Sequence, residues 1–408
     1  MKLFSDKNRP VHMGPYPLER LKRGVMPDLS KLSAMKSLSF NRPKAPENII
    51  NAMGEYQAML DAIRDGLVNK KKAEIPTNPL ERSNHIKGFG YFCDAAMIGV
   101  CKLPNSAILD DPVINSDVAR LAKALRTRQT KTLGSGIDVI MADLKDSMEA
   151  PASTIQGHTH AIGFLYENPR EIFPEEKGVD WLKDAYDHRA CLRASETTVV
   201  LANYIRLLGF DAKSHSLTAS DVNLNQIAVA AGLVWHENDE FIAPYLGKRY
   251  GLGAITCSMD LSIDRPLAPR AMQPWFKTKG PAWWLGAGFA KSALNNDPFR
   301  KRRFVDGPHP YEKLKKVDYP TTYIDEDRVP RVPKRTDMFA RAQFGDMGKA
   351  LQEGAKGGYY ARKAAPSFAQ RRALGAFVLL QDGEPNPMGE RPTDKDRNAA
   401  NLKATSYF

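Results

Sequence analysis

One segment constrains the fold of this sequence more than any other: a long stretch of helical periodicity that ends at a glycine. Between Ala190 and Leu208 apolar side chains recur on or near a single helical stripe, and Gly209 follows where a C-terminal cap is expected. The residues that define the stripe are Leu192, Val199, Ile205 and Leu208. The sequence therefore predicts a helix over residues 190–208.

Shorter helices and strands surround this helix in no regular order. Helical spacing is present at residues 49–67, 113–126 and 225–231, and strand patterns are present at 97–103, 160–167 and 255–261. The chain has no GxGxxG fingerprint and no regular βαβ rhythm. Hydrophobic residues make up 42% and charged residues 26% of the chain, as in ordinary globular proteins. We therefore expect an α+β fold, in which helices cover a sheet.

Targeting signals and cysteine usage bear on the compartment. Nothing near Met1 resembles a secretory signal, and no run of about 18 apolar residues could span a membrane. The four cysteines are scattered without a CxxC pair, which is typical of free thiols in a reducing compartment: Cys93, Cys101, Cys191 and Cys257. These features predict a cytoplasmic protein without a membrane span.

The net charge of +12 raises the question of a nucleic-acid partner. The densest basic run is at residues 300–303, and no aromatic-and-basic recognition module surrounds it. We interpret the run as a solvated linker and expect no nucleic-acid partner.

A short repeat suggests a duplicated architecture. GPYPLERLKR (Gly14–Arg23) returns as GPHPYEKLKK (Gly307–Lys316), with six identical residues among ten. One interpretation is that the architecture was once two tandem copies. The alternative is coincidence between two arms that are rich in proline and lysine.

Three phrases, in order between residues 196 and 267, carry a family resemblance: ETTVVLANYIRLLGFDAKSHSL, NLNQIAVAAGL and FIAPYLGKRYGLGAITCSMDLSIDRPL. Together they resemble the central domain of reductive dehalogenases and of their relative epoxyqueuosine reductase. IKGFGYFCDAAMIGVCKLP (Ile86–Pro104) is similar to the helix–strand unit upstream in that family. GPYPLERLKR resembles the opening of its soluble, aerobic type.

The resemblance implies a nitroreductase-like fold, a mixed sheet covered by helices, that holds cobalamin in a base-off state. In the family, two iron–sulfur clusters reduce the cobalt, which cleaves a carbon–halogen bond while a tyrosine supplies the proton. The implied organisation is an extended N-terminal arm (1–50), a cobalamin-binding-type domain (51–267), a linker rich in proline and tryptophan that replaces the iron–sulfur region (268–306), and a partial repeat of the arm with a helical tail (307–408).

The sequence departs from the family pattern in two places. No cysteine follows Cys257, so no iron–sulfur cluster is expected and a separate redox partner would have to supply electrons. After AAGL the family tends to place a glycine, whereas this chain has Val234, which cannot adopt the positive φ that glycine permits. The close approach of this loop to a cofactor is therefore in question.

Two tyrosines are candidate proton donors by the resemblance, namely Tyr204 and Tyr166. Tyr204 lies beside the apolar stripe of the long helix, where packing is the alternative role. A neighbouring cation would be needed to lower a tyrosine pKa, and Lys213 is the catalytic candidate for this role, with Lys248 and Arg249 also near in sequence.

The candidate cofactor-binding residues surround the NLNQ and AAGL phrases: His215, Asn223, Asn225, Gln226, Gly232 and Arg249. The amides could meet the amide side chains of a corrin, and His215 is expected to donate or accept a hydrogen bond. His158 and His160 form an HxH pair whose spacing would suit a metal, but no third ligand accompanies them, so no metal site is predicted. Trp275, Trp283 and Trp284 could line a substrate entrance, fill the volume of the missing iron–sulfur region, or cover an interface.

Three functions remain open. The chain could be a dehalogenase-like oxidoreductase that binds cobalamin, acts on halogenated organic compounds and depends on an external electron donor. It could instead be a cofactor-free, degenerate domain that serves as a structural subunit of a catalytic dehalogenase chain, or that forms a homodimer. A flavin-dependent, nitroreductase-like reductase is the third possibility.

Overall fold

A computed structural model describes residues 10–120, 154–169, 178–273, 338–355 and 394–407, with isolated positions between them. Its helices are α1 (Ile49–Ala62), α2 (Pro79–Phe92), α3 (Val179–Leu182), α4 (Tyr186–Leu207), α5 (Leu224–Ala230), α6 (Met338–Gln343), α7 (Lys349–Ala355) and α8 (Lys395–Tyr407). Its strands are β1 (Met97–Lys102), β2 (Ile108–Val113), β3 (His160–Glu167), β4 (Ala212–His215), β5 (Ser220–Val222), β6 (Trp235–Glu237), β7 (Glu240–Ile242) and β8 (Tyr250–Cys257).

In the described residues the central sheet is antiparallel throughout, not mixed as expected, with strand order β1-β3-β8-β4. Small residues allow helices to approach both of its faces closely. A Cβ on Gly99 would lie 2.3 Å from the carbonyl oxygen of Ala231, just beyond α5, and a Cβ on Gly251 would lie 2.1 Å from the carbonyl oxygen of Ala190 in α4. The sheet is therefore sandwiched between α4 and α5, and the expectation of an α+β fold with helices over a sheet is confirmed.

Alternation along the strands divides the core into two layers. Side chains on one face pack with α1, α2 and α4, and those on the other pack with α5 and the N-terminal segment. The first layer includes Ile98, Ile162, Phe164 and Ile255, and the second includes Met97, Ala161, Leu165 and Leu252.

The strand predicted at residues 255–261 was misplaced. β8 covers Tyr250–Cys257, and both of its faces are buried. Thr256 is one of the polar residues whose alternation suggested a half-exposed strand. It is fully buried, because its hydroxyl is hydrogen-bonded to two histidines. By contrast, β3 covers residues 160–167 as predicted. The helix α4 begins four residues earlier than predicted and ends before Gly209. This glycine has a positive φ of +88°, which is typical of a helix C-terminus.

The N-terminal segment packs against the core. Leu18, Leu21, Leu29 and Leu32 are buried in the α5 layer, and 3-10 helices cover Val11–Met13, Leu18–Arg20 and Leu29–Lys31. The backbone of residues 22–24 pairs with that of 266–268: Gly24 N–H donates to the Pro266 carbonyl, and Ala268 N–H donates to the Lys22 carbonyl. We call residues 22–24 and 264–268 the clasp.

The outer edge of β1 is closed. Asp264 donates its N–H to the Val100 carbonyl at 2.7 Å and accepts the Val100 N–H on its carboxylate at 2.8 Å. The Ile98 N–H donates to the Tyr91 hydroxyl. Such partners protect an edge strand from pairing with another chain.

Several predictions lie outside the described residues. They are residues 274–306 of the linker, with its three tryptophans and the basic run at 300–303, the repeat at 307–316, and part of the helix expected at 113–126, of which residues 117–120 are helical. At the far end of the described chain, α8 packs on α3, where Arg397 pairs with Asp180 at 2.8 Å. In the described ranges, no helix has both the length and the apolar character of a membrane span.

Candidate functional site

The residues predicted for the site do not converge on one cleft. Tyr166 and Tyr204 belong to the core layer between the sheet and α4. Lys213 and His215 lie on the opposite face, because their cross-strand partners are Thr256 and Ala254, and Ala254 belongs to the α5 layer. The predicted proton donors and most of the predicted cofactor ligands are therefore separated by the sheet.

Tyr166 is held inside the protein. Its hydroxyl donates to the carbonyl oxygen of Cys93 at 2.5 Å and also contacts the Thr197 hydroxyl. Burial raises the pKa of Tyr166, so the phenol is a weaker acid than a free tyrosine. The geometry favours a packing role that joins β3 to α4.

Tyr204 makes one contact that sequence reasoning missed. Its hydroxyl is 2.7 Å from Nε2 of His85 on α2, and its ring meets the edge of Phe89 with centroids 5.2 Å apart. His85 and Phe89 are four residues apart, one helical turn, so both reach the same tyrosine. Burial raises the pKa of Tyr204.

Lys213 is placed away from both tyrosines. Its ammonium is 3.1 Å from the Asp221 carboxylate and 3.6 Å from that of Asp65, and only 4% of its side chain is exposed. Arg64 also pairs with Asp221 at 3.1 Å. Lys213 therefore belongs to an ion-pair cluster at the edge of the sheet, and not beside a phenol whose pKa it could lower.

His215 points into the protein. Its Nδ1 accepts the backbone N–H of Asp221 at 3.2 Å, and its Nε2 is 2.8 Å from the Thr256 hydroxyl. Burial, followed by repulsion from Arg64 and Lys213, lowers the pKa of His215 well below that of a free imidazole. Both ring nitrogens are therefore engaged within the protein.

The three predicted amide ligands stabilise the local fold. Asn223 caps α5 by accepting the N–H groups of Asn225 and Gln226 at 3.1 and 3.3 Å. The Asn225 amide donates to the Ser33 carbonyl at 3.2 Å, and the Gln226 carbonyl accepts from the Ser106 hydroxyl at 2.9 Å. All three are buried, so they would not meet a corrin without rearrangement of the N-terminal segment.

Gly232 tests the cofactor fit most directly. Its φ is +68°, and a Cβ would lie 2.2 Å both from Nη1 of Arg23 and from the carbonyl oxygen of Arg265. The same Arg23 nitrogen donates to the Gly232 carbonyl at 3.0 Å and to the Arg265 carbonyl at 2.9 Å. The space that this glycine opens is therefore filled by the clasp, and the predicted ligands do not fit a bound cobalamin.

Arg249 lies apart from the other cofactor candidates. Its guanidinium stacks 3.8 Å above the ring of Tyr186, and its Nε is 3.8 Å from the carboxylate of Asp187. It therefore packs on the first turn of α4.

The two histidines of the HxH pair also separate. His158 contacts Thr256 and lies 3.4 Å from Asp211, whereas His160 contacts Thr159 and lies 3.7 Å from Asp260. The expectation that they share a face was wrong, because β3 begins at His160 and the period of two does not extend back to His158.

The cysteines offer poor metal ligands. Cys101, Cys191 and Cys257 are in β1, α4 and β8, and burial raises each thiol pKa to about 12. A thiol that binds a metal gives up its proton, and burial disfavours the thiolate that would form. Where the structure is described, no group of three His, Cys, Asp or Glu side chains is placed to hold a metal ion.

The sequence pattern does not reveal one buried carboxylate, because it lies in an apolar helix. Asp61 of α1 accepts hydrogen bonds from Gln57, Asn115 and Ser216 at 2.9, 2.9 and 2.7 Å, and from Thr218 at 2.5 Å. Burial raises the pKa of Asp61, while these four donors oppose the shift. The cluster joins α1 to the turn after β4.

Comparison with known proteins gives structural relatives only. No protein-family model and no curated protein matches the chain. Structures of the catabolic reductive dehalogenase NpRdhA match at 27% identity with a TM-score of 0.72, both alone and in complex with 3-bromo-4-hydroxybenzoic acid. A further reductive dehalogenase structure, described as suggesting a mechanism for B12-dependent dehalogenation, matches equally well.

These matches cover 100% of this chain and 52% of the NpRdhA chain, so this chain spans about half the length of those relatives. Epoxyqueuosine reductase from Bacillus subtilis matches at 13% identity over 48% of this chain and 50% of its own, with a TM-score of 0.30, which supports no inference. The resemblance found in the sequence is thus confirmed: reductive dehalogenases are structural relatives of this chain along its whole length.

Proposed function

We propose that this chain is a dehalogenase-type domain that does not hold cobalamin itself and that supports a cobalamin-binding catalytic domain or chain. The observation that carries this proposal is the clasp, in which Arg23 fills the space beside Gly232 where the family resemblance leads us to expect a cofactor. Five further candidate ligands are engaged elsewhere, either inside the protein or on α4.

The length of the relatives supports a second unit, in the same polypeptide or in another. NpRdhA has a chain about twice as long, because the present chain matches 52% of it. The sequence repeat at residue 307 supports an architecture with two related copies. Halogenated aromatic acids, such as the one bound to NpRdhA, are then substrates of the assembled system, for which we propose a cytoplasmic location.

The competing proposal is that this chain binds cobalamin and receives electrons from a separate protein. The B12-dependent chemistry in the description of one relative favours it. When bound, cobalamin would supply a reduced cobalt that cleaves the carbon–halogen bond. Five of the six predicted ligands are buried, and all six have contacts within the protein, which is why we prefer the first proposal.

Cofactor retention separates the two proposals. Cobalamin is mixed with the full chain under reducing conditions, the excess is removed by desalting, and the absorbance spectrum is recorded. We expect no corrin band. A stoichiometric base-off corrin band would overturn the proposal, and a flavin spectrum in the purified chain would favour the nitroreductase-like alternative.

Two further measurements test the supporting role. With 3-bromo-4-hydroxybenzoic acid and a strong chemical reductant, the chain alone is expected to release no bromide, and steady release would contradict us. In sedimentation with a cobalamin-loaded dehalogenase catalytic domain, we expect a one-to-one complex. Independent sedimentation of the two species would remove the supporting role.

A further inference from the structure

The first copy of the sequence repeat, residues 14–23, holds the N-terminal segment on the core, and we call it the first arm motif. Leu18 and Leu21 are 7% and 4% exposed and are buried in the α5 layer. They are three residues apart in a 3-10 turn, so both point to the same side. Glu19 and Lys22 are exposed. Two leucines therefore attach the motif to the core, and charged residues between and beside them face the water.

Two further contacts of the first arm motif need a particular type of residue. Gly14 has a φ of +67°, and a Cβ there would lie 2.3 Å from the ring of Tyr91. The ring of Tyr16 stacks on that of Tyr245, with centroids 5.3 Å apart. The motif therefore requires a glycine at its first position and an aromatic ring at its third.

The last residue of the first arm motif supplies a cation to the clasp. A single nitrogen of Arg23, Nη1, donates to the carbonyls of Gly232 and Arg265 at 3.0 and 2.9 Å. The other terminal nitrogen, Nη2, reaches only the Leu18 carbonyl, at 3.4 Å. Because one nitrogen makes both contacts across the clasp, the single nitrogen of a lysine ammonium, which has three donors, can replace it.

The second copy, GPHPYEKLKK at residues 307–316, keeps the type of residue that each of these contacts needs, and we call it the second arm motif. The contact positions of Gly14, Tyr16, Leu18, Leu21 and Arg23 hold Gly307, His309, Tyr311, Leu314 and Lys316, and the exposed positions of Glu19 and Lys22 hold Glu312 and Lys315. Coincidence between two arms that are rich in proline and lysine does not require a match of buried with apolar positions. The second arm motif is therefore suited to a surface like the one that the first occupies.

That surface is already filled in this domain. Leu18 and Leu21 occupy the α5 layer, and Arg23 occupies the carbonyls beside Gly232. Resting on the proposed function, which names a catalytic dehalogenase domain as the partner, we propose that the second arm motif packs on the α5-type helix of a second domain of this fold, in the same polypeptide or in another. Tyr311 and Leu314 are its apolar anchors, and Lys316 is its cation for the carbonyls that follow that helix.

A chain with the second sequence in the first position tests whether the two motifs are equivalent. Four substitutions turn residues 14–23 into GPHPYEKLKK: Tyr16→His, Leu18→Tyr, Arg20→Lys and Arg23→Lys. The measurement is hydrogen exchange of the Gly24 and Ala268 N–H groups, which are hydrogen-bonded across the clasp. We expect their protection to stay within tenfold of the wild type. A larger loss, or a chain that does not fold, would overturn the proposal.

A control of matched composition carries the same four new side chains at other positions. Its substitutions are Tyr16→Lys, Leu18→Lys, Arg20→His and Arg23→Tyr. They place an ammonium at a buried position and remove the cation from the clasp, so protection of Gly24 and Ala268 should fall more than tenfold. Equal protection in the two chains would show that the repeated pattern does not hold the motif in place, and the proposal would fail.

Two single variants test the cation position without altering the leucines. Arg23→Lys keeps a charged donor, whereas Arg23→Met keeps a long side chain and has no donor. We expect protection across the clasp to stay within threefold in Arg23→Lys and to fall more than tenfold in Arg23→Met. Equal protection in the two variants would remove the correspondence between Arg23 and Lys316.

Sedimentation with a cobalamin-loaded dehalogenase catalytic domain distinguishes this proposal from the proposed function. In the full chain, Leu314→Asp should weaken the complex at least tenfold, and the control Glu312→Gln, at the position that matches exposed Glu19, should leave it unchanged. A complex that is as stable with Leu314→Asp as with the wild type would overturn the docking of the second arm motif and leave the supporting role intact. A wild-type chain that sediments alone would instead overturn the supporting role.

Discussion

Gly232→Ala tests the clasp quantitatively. The substitution forces a side chain into positive φ, which costs about 1–2 kcal/mol. It also places Cβ 2.2 Å from Nη1 of Arg23 and from a backbone carbonyl. The guanidinium must move, and loss of one hydrogen bond from a charged donor costs about 1.5–3 kcal/mol. We therefore expect a total loss of about 2.5–5 kcal/mol in the free energy of unfolding.

A matched control isolates the backbone contribution. Gly247 has a similar φ of +80°, and nothing lies within 4 Å of its would-be Cβ. Gly247→Ala should therefore cost only the backbone penalty of about 1–2 kcal/mol. Urea unfolding of the wild type and both variants measures the difference in unfolding free energy, provided that the dependence of this free energy on urea concentration is the same for all three.

The role of Arg23 is tested by a double variant. If the Arg23 guanidinium is the obstacle, the losses of unfolding free energy in Arg23→Ala and Gly232→Ala should be strongly non-additive. In the double variant the new alanine side chain at position 232 has no guanidinium to displace. Equal losses for Gly232→Ala and Gly247→Ala would refute the reasoning. Additivity in the double variant would show that Arg23 does not fill the space beside the glycine.

Three other predictions concern acid stability, the sheet edge and thiol reactivity. Burial lowers the pKa of His215 and His188, so at acidic pH the folded chain binds fewer protons than the unfolded chain. The free energy of unfolding should therefore fall as the pH drops below the unfolded-state histidine pKa of about 6.5. Urea midpoints that stay constant from pH 8 to 5 would contradict this. Asp264→Ala removes the carboxylate that contacts the Val100 N–H and Lys87. We expect the free energy of unfolding to fall by about 1–3 kcal/mol and self-association to increase in size-exclusion chromatography. The control Asp260→Ala, at a side chain that is 64% exposed, should cost under about 1 kcal/mol. Because three thiols are buried with pKa values raised to about 12, only Cys93 should react rapidly with a disulfide reagent, and a second fast thiol would show that the core opens.

The sequence predicted the elements whose pattern is local. The long helix, the strand at 160–167 and the helix at 225–231 were recovered to within a turn, since periodicity and glycine stops define them. The hairpin of β6 and β7 was missed although its turn is legible: Asn238 and Asp239 both have positive φ, as in the two-residue turn that favours such residues. The short β4 and β5 lack a pattern of their own and depend on their neighbours.

The site could not be predicted from local pattern. Arg23 is separated from Gly232 by 209 residues, and no periodicity links them. Likewise, the donors to Asp61 come from three separate segments of the chain. Only the packing of the N-terminal segment on α5 reveals that the glycine and the amides have internal partners.

The phrases that carry the family resemblance are used here to build the fold. In YIRLLGF, Arg206 donates to the carbonyls of Arg64 and Ala212, and Gly209 ends α4. In AAGL, Ala231 is small enough for Gly99 to approach it closely. In DRPL, Asp264 closes the edge of β1.

These contacts explain why a family resemblance can indicate the fold and still leave the cofactor residues open. A motif residue with a structural partner is retained for stability whether or not a cofactor is bound, so the motif indicates the fold and leaves the chemistry open. The clasp shows the distinction at one residue. Gly232 keeps the positive φ that the fold requires, and its open side is occupied by an arginine of the same chain. Cofactor binding in a relative of this fold should therefore depend on what lies beside that glycine more than on the glycine itself.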